Sequence, residues 1–203
     1  MPHEFDSRFV VKPPTQPRAA RRIETGMPGL YRLKLDSYSD SRGSFSPAWV
    51  QADLAAEGLD ANIVQINLAR NPVTGTLRGL HFQVAPWSEV KIVQVVTGAM
   101  FDVVVDLRRE SPTFKQVREF RLDSDTREAL YIPKGLAHGY QTLATETTVL
   151  YTVSTVYAPD HQGGIQWNDP ALSIQWPLEP TFLSDKDRDL PRLGDLQLFP
   201  GGS

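Results

Sequence analysis

Two neighbouring runs decide the fold class: Val90-Lys91-Ile92-Val93-Gln94-Val95-Val96 and, after Gly98, Met100-Phe101-Asp102-Val103-Val104-Val105-Asp106-Leu107. Both are dense in β-branched residues, whose stiff side chains suit a pleated strand better than a helical turn. Gly98 marks a turn between them, so they read as consecutive strands. Working outward, residues 147–154 form another partly alternating run. Short strands are expected at 31–35, 63–68, 116–122 and 129–132. Turn residues separate them: Asn71-Pro72, Ser111-Pro112, Asp123-Ser124-Asp125 and Pro133-Lys134-Gly135. Many short strands with regular punctuation imply an antiparallel sandwich or barrel. The best helix candidate spans residues 49–57, before Gly58. No internal repeat is visible.

The chain has 203 residues, 40% hydrophobic, which suits one domain with a real core. Residues 1–26 read as an extended arm interrupted by Pro13, Pro14 and Pro17, able to reach a partner subunit. Residues 27–190 read as the domain, and residues 191–203 as a tail that frays after Phe199. The formal net charge is -3, and the densest basic cluster, Arg18, Arg21 and Arg22, lies in the arm. That placement points to a solvated or partner-touching segment and away from nucleic-acid binding. The chain has no cysteine, which excludes disulfides and thiolate zinc sites. An acidic N-terminus without an apolar signal core and no span-length apolar run lead to the expectation of a cytoplasmic protein that engages neither membrane nor nucleic acid.

Chemistry-bearing residues interrupt the apolar runs. His81, Lys91, His138 and Tyr151 each sit in or beside a strand-like segment, where polar side chains would point into a barrel mouth. In Arg78-Gly79-Leu80-His81-Phe82-Gln83, a neutral imidazole among apolar neighbours is a general-base candidate. The nearby arginine suits a phosphate or pyrophosphate. Taken alone, His81 reads more readily as a packed core histidine. Pro133-Lys134-Gly135-Leu136-Ala137-His138 resembles the second cupin motif, in which the histidine binds metal. A site of His81, Glu89 and His138 lacks an imidazole, because Gln83 stands where one is needed, so no metal is expected. Tyr151 and Tyr157 share strand parity and suit proton donation or stacking on a base, although taken alone they read more readily as ordinary barrel packing. Leu183-Ser184-Asp185-Lys186-Asp187 alone reads as a charged surface turn.

Taken in order, these segments form a series. It runs through Asp40-Ser41-Arg42-Gly43-x-Phe45, Gln65-Ile66-Asn67, Arg78 to Gln83, Lys91, Gly98 to Asp106, Ser111-Pro112-Thr113-Phe114 and Gly135-Leu136-Ala137-His138-Gly139. It continues through Tyr151, Tyr157-Ala158-Pro159, Trp167-Asn168-Asp169-Pro170 and Leu183-Ser184-x-Lys186-Asp187. Over roughly residues 29–190 the series resembles the dTDP-4-dehydrorhamnose 3,5-epimerase family. The resemblance implies an all-β, cupin-type antiparallel barrel (jelly roll) with a few short helices, and a homodimer. It also implies epimerisation at C3 and/or C5 of a nucleotide-linked 4-keto-6-deoxyhexose in deoxysugar biosynthesis. By the same resemblance, His81 matches the catalytic base, Asp187 its carboxylate partner, Tyr151 the acid on the opposite face and Lys91 the cation beside the sugar carbonyl. Arg42, Phe45, Gln65, Asn67, Arg78, His138, Gln162 and Lys186 fall at substrate-binding positions, and Tyr157 at the position that stacks on the base. Removing a proton next to the ketone leaves an enolate whose charge a cation stabilises. There is no net oxidation, so no cofactor is expected.

The chain departs from the family pattern twice. Pro47 stands where the family usually has glutamate after Arg-Gly-x-Phe, and Gln162 stands for a second glutamate. Both changes lie in regions expected to contact substrate, so a different base or sugar is an open alternative: a mono-epimerase acting at C3 or C5 on, for example, a CDP-sugar. Rival readings are a metal-dependent cupin oxygenase or isomerase, a 3,4-ketoisomerase and a non-catalytic sugar-nucleotide-binding barrel.

Overall fold

A computed structural model describes residues 20–196. In chain order the strands are β1 (Ala20–Glu24), β2 (Tyr31–Leu35), β3 (Tyr38–Asp40), β4 (Gly43–Phe45), β5 (Gln65–Asn71), β6 (Leu77–Gln83), β7 (Lys91–Thr97), β8 (Ala99–Asp106), β9 (Val117–Asp123), β10 (Glu128–Ile132), β11 (Leu136–Thr142), β12 (Thr147–Val153) and β13 (Gln162–Gly164). Two short helices accompany them, α1 (Gln51–Ala56) and α2 (Asp185–Arg188). The strands form a six-stranded sheet, β1-β2-β10-β7-β12-β5, a five-stranded sheet, β13-β6-β11-β8-β9, and the β3-β4 hairpin. All strand pairs are antiparallel. The fold is the expected cupin-type jelly roll, and solved relatives share it. Among the described residues no helix is long and apolar enough to cross a membrane.

Strand parity explains the layers. Side chains at alternate positions face opposite ways, so each sheet has an inner and an outer face. The inner faces meet in a core that includes Val93, Val95, Met100, Val104, Leu130, Ile132 and Val149. The outer face of the β1-β2-β10-β7 region is covered by α1 and its flanks, which pack Leu54 and Leu59 onto Leu33, Ile92 and Tyr131. The outer face of the five-stranded sheet is covered by the C-terminal segment, with Ile165, Leu172 and Leu193 against Leu80, Val103 and Val105. β8 is therefore buried on both faces, which accounts for its near-continuous apolar sequence.

Two boundaries drawn from sequence need correction. Residues 20–24 are not arm but β1, paired along its length with β2. Arg21 faces Asp36, and Arg22 lies near the Glu57 carboxylate and over the Tyr31 ring. These basic residues are thus engaged by their own chain. Residues 191–196 are not tail: Leu193 is buried, and its N–H donates to Asp169 at 2.6 Å. Residues 1–19, including Arg18 and the proline-rich stretch, and residues 197–203 lie outside the described residues. β1, β3, β4, β6, β11 and β13 were also absent from the strands named from sequence, because polar residues and glycine break their hydrophobic pattern.

Candidate active site

A cavity of about 500 Å³ opens between the sheets, bounded by β5, β12 and β7 on one side and by β6 and β11 on the other. His81 from β6 lines it, and its Nε2 lies 2.6 Å from Oδ1 of Asp187 on α2. Asp187 is buried, so it does not belong to an exposed charged turn. Ser184 caps α2, its Oγ accepting the Asp187 N–H at 3.1 Å, and the Gly79 N–H donates to Oδ2 at 3.2 Å. Burial alone would push the Asp187 carboxyl up. The bond to His81 and its charge, with Gly79 and Ser184, hold it below the ordinary value of 3.8 instead. An ionised carboxylate accepts the Nε2–H, which leaves the Nδ1 lone pair free to take a proton.

Lys91 and Tyr151 reach the cavity from the opposite sheet, on adjacent strands in which Tyr151 pairs with Val93 and Val153 with Lys91. Burial raises the Tyr151 phenol above 10.0; Arg78 opposes the rise and Glu89 adds to it. The phenol therefore keeps its proton across the neutral range and is equipped to donate it. Lys91 Nζ lies 3.0 Å from Glu89 Oε1.

Arg78 and His81 are three residues apart, a spacing that puts side chains on opposite faces of a regular strand. Both nonetheless line the cavity. The β6-β11 register shifts by one residue between His138 and Tyr140, opposite Gly79. Gly79 has φ +117°, and a Cβ there would sit 2.6 Å from Gly139 Cα and 2.9 Å from the His138 carbonyl oxygen. The two glycines therefore permit a close approach that brings the guanidinium and the imidazole to one cavity. Arg78 Nε donates to Asn71 Oδ1 at 2.9 Å, and Asn71 Nδ2 lies 3.4 Å from the hydroxyl of buried Tyr140.

Gln65, Asn67, His138, Tyr157, Gln162 and Lys186 also line the cavity. Gln162 Oε1 accepts from Lys186 Nζ at 2.5 Å and from the Tyr157 hydroxyl at 2.8 Å. Tyr157 lies beyond the end of β12, so the shared strand parity inferred from sequence does not apply; a loop carries it to the rim. Arg42 and Phe45 are not at this cavity. They sit on the β3-β4 hairpin, with Phe45 70% exposed and Arg42 paired with Asp40. Pro47 does not line the cavity either.

Sequence reasoning missed Asp102, Gln83, Asn71 and Tyr140, and weighed Glu89 only as a metal ligand. Asp102 is fully buried and lies 2.8 Å from His138 Nε2 through Oδ2, while its Oδ1 has no hydrogen-bond partner. An acid inside the apolar run 100–107 was a readable signal of such a partner. His138 is thus tied to a carboxylate. Among the described residues no group of three or more His, Cys, Asp or Glu side chains is placed to hold a metal ion.

A protein-family model described as dTDP-4-dehydrorhamnose 3,5-epimerase matches residues 24–195. A dTDP-4-dehydrorhamnose 3-epimerase from Streptomyces niveus is 38% identical over 180 residues, covering 86% of each chain. The crystal structure of a dTDP-4-dehydrorhamnose 3,5-epimerase from Bacillus anthracis, with TDP and pyrophosphate bound, is 43% identical. It superposes with a TM-score of 0.84, covering 86% of this chain and all of that one. A dTDP-6-deoxy-D-glucose-3,5-epimerase from Legionella pneumophila, in complex with dTDP-4-keto-L-rhamnose, is 34% identical with a TM-score of 0.83, covering 87% of this chain and 94% of that one.

Proposed function

The chain belongs to the dTDP-4-dehydrorhamnose 3,5-epimerase family, and we propose that it inverts carbon centres beside the ketone of a dTDP-linked 4-keto-6-deoxyhexose. It is a carbohydrate epimerase of deoxysugar biosynthesis. In our reading His81 Nδ1 removes the proton on C3 or C5, while Asp187 stabilises the imidazolium through Nε2–H. Lys91 faces the oxyanion that develops on O4. Tyr151 returns a proton to the other face of the ring. The observation that carries this reading is the placement of His81 and Tyr151 on opposing sheets of one cavity. Base and acid on opposite sides turn removal and return into inversion.

We assign Arg78, Lys186 and His138 to the diphosphate, Gln65 and Asn67 to polar groups of the substrate, and Tyr157 with Gln162 to the base. Gln162 carries no charge and offers both a donor and an acceptor, so it suits either thymine or cytosine. Titrating dTDP, CDP, UDP and GDP tests that point; a clear preference for dTDP removes the case for a different base. We further propose a homodimer. Among the described residues nothing covers the outer face of the β7-β12-β5 part of the six-stranded sheet, where Ile66 (60%) and Leu68 (69%) on β5 and Val96 (48%) on β7 are exposed. Such a patch beside an edge strand suits an interface. Arg42 and Phe45, exposed on their hairpin, would then reach the substrate of a partner subunit.

The test is incubation with dTDP-4-keto-6-deoxyglucose in D₂O, followed by NMR. Deuterium at both C3 and C5 identifies a double epimerase, and deuterium at C3 alone a mono-epimerase. Loss of exchange in His81→Ala is expected; exchange at the wild-type rate in that variant overturns the assignment of the base.

A further inference from the structure

Lys91 is not a free cation over the cavity. Its neighbours in register, Ile132 on β10 and Val153 on β12, are apolar and hold no ammonium. Glu89, two residues earlier and facing the same way, does so, with Oε1 3.0 Å from Nζ. The side chains of Lys91 and Glu89 are only 15% and 11% exposed, so water screens the pair weakly. Glu89 is held in turn: its Oε2 accepts from Gln83 Nε2 at 3.2 Å. Gln83 is buried and pinned at both ends of its amide. Its Oε1 accepts the Ala158 N–H at 2.7 Å, and its Nε2 also reaches the carbonyls of Trp87 at 3.1 Å and Val156 at 3.3 Å. One neutral side chain on β6 therefore ties together the loop before β7, the loop after β12 and the carboxylate that grips Lys91.

We infer that Glu89 and Gln83 are positioning residues that aim Lys91 at the substrate carbonyl, an inference that rests on Lys91 being the enolate-stabilising cation. A lysine stem has several rotatable bonds, and an unanchored ammonium spends its time in many rotamers. Electrostatic catalysis depends on the charge already being where the oxyanion will form. Glu89 weakens the positive field at that point but fixes its origin. An amide is the residue type the relay requires at position 83. Its N–H groups donate to Glu89 and two carbonyls while its oxygen accepts from Ala158. A carboxylate there would set a second negative charge beside Glu89 and lose every donor. The polar residue at the place of a cupin metal ligand thus serves the lysine.

The experiment compares full-length wild type with Glu89→Ala, Glu89→Gln and Lys91→Met. It measures the kcat and KM of the exchange reaction, the Kd for dTDP, and the Lys91 ammonium signal in ¹⁵N-lysine NMR, assigned by its loss in Lys91→Met. For Glu89→Ala we expect kcat to fall about 10–100-fold, the scale of an ångström-sized misplacement. KM and the dTDP Kd should stay within about threefold, and the Lys91 signal should broaden. Glu89→Gln keeps an oxygen for Nζ and the same volume, so it should lie between wild type and Glu89→Ala; it also serves if the alanine variant does not fold. The inference is overturned by a kcat within about twofold of wild type in Glu89→Ala, by a loss confined to KM or dTDP affinity, or by an unchanged Lys91 signal. Wild-type exchange in Lys91→Met instead defeats the catalytic role of Lys91. The NMR signal in Glu89→Ala then decides separately whether Glu89 holds it.

Discussion

Replacing Asp187 by asparagine changes one atom, and the structure dictates how the new amide must sit. The carboxylate serves two donors, the His81 Nε2–H at 2.6 Å and the Gly79 N–H at 3.2 Å. An amide has only one oxygen. The Gly79 N–H is buried backbone and cannot become an acceptor, so the asparagine oxygen should turn to it and the NH₂ group should face His81. The imidazole must then present a lone pair at Nε2 and carry its proton on Nδ1, the nitrogen needed as base. Keeping the working tautomer would leave the Gly79 donor unpaired, at a cost of about 1–3 kcal/mol. The imidazolium also loses a charge-assisted bond worth about 1.5–3 kcal/mol. Together these raise the barrier by about 2.5–6 kcal/mol, or about 10²–10⁴ in rate at 1.36 kcal/mol per decade. A comparable loss, roughly 10⁴, follows the same change in hydrolase triads. The assay is deuterium wash-in at C3 and C5, with dTDP affinity as a control for the pocket. A variant within about tenfold of wild type, with dTDP affinity intact, refutes the tautomer argument.

Three further outcomes are expected. Tyr151→Phe should lower inversion by about 10²–10⁴ but slow proton loss less, since His81 is untouched; equal losses in NMR wash-in and in product formation would count against the acid role. Asp106→Asn should destabilise the fold, because Arg108, Ser111 and Thr113 together outweigh burial and hold this carboxyl at about 2, against an ordinary 3.8. That difference corresponds to about 2 kcal/mol, present above pH ~4 and lost as the pH falls towards ~2. In denaturant melts the gap between variant and wild type should therefore close over that window, and a constant gap would refute the linkage. Leu68→Asp places a charge on the exposed apolar face of β5 and should shift a dimer to monomer in sedimentation velocity; an unchanged mass would place the interface elsewhere.

Much of the fold was legible because strand signals are local. Runs such as 90–96 and 100–107 carry their own β-branched density, and strands β7 and β8 form there. The candidate base, acid, cation and carboxylate were also named from sequence, on a resemblance borne by many spaced motifs. Strands β6 and β11 were harder to see. The polar and glycine residues that build the cavity are the ones that erase a hydrophobic pattern.

The chemical types available to the site were determined by sequence alone: an imidazole, a phenol, an ammonium, and enough apolar strand to enclose them. Their partners were decided only by the tertiary structure. His81 and Asp187 are 106 positions apart, and sheet packing and the α2 cap bring them together. The register shift at Gly79 places Arg78 beside His81 against simple parity. The folded geometry moved Asp102 and Glu89 from background to the roles of carboxylate partners, for His138 on the neighbouring strand of the same sheet and for Lys91 two residues further along the chain. It also left Arg42 and Phe45 on an exposed hairpin away from the cavity. Hydrogen bonds and ion pairs act over a few ångströms, and which groups come within that range is set by strand register and by how the sheets pack.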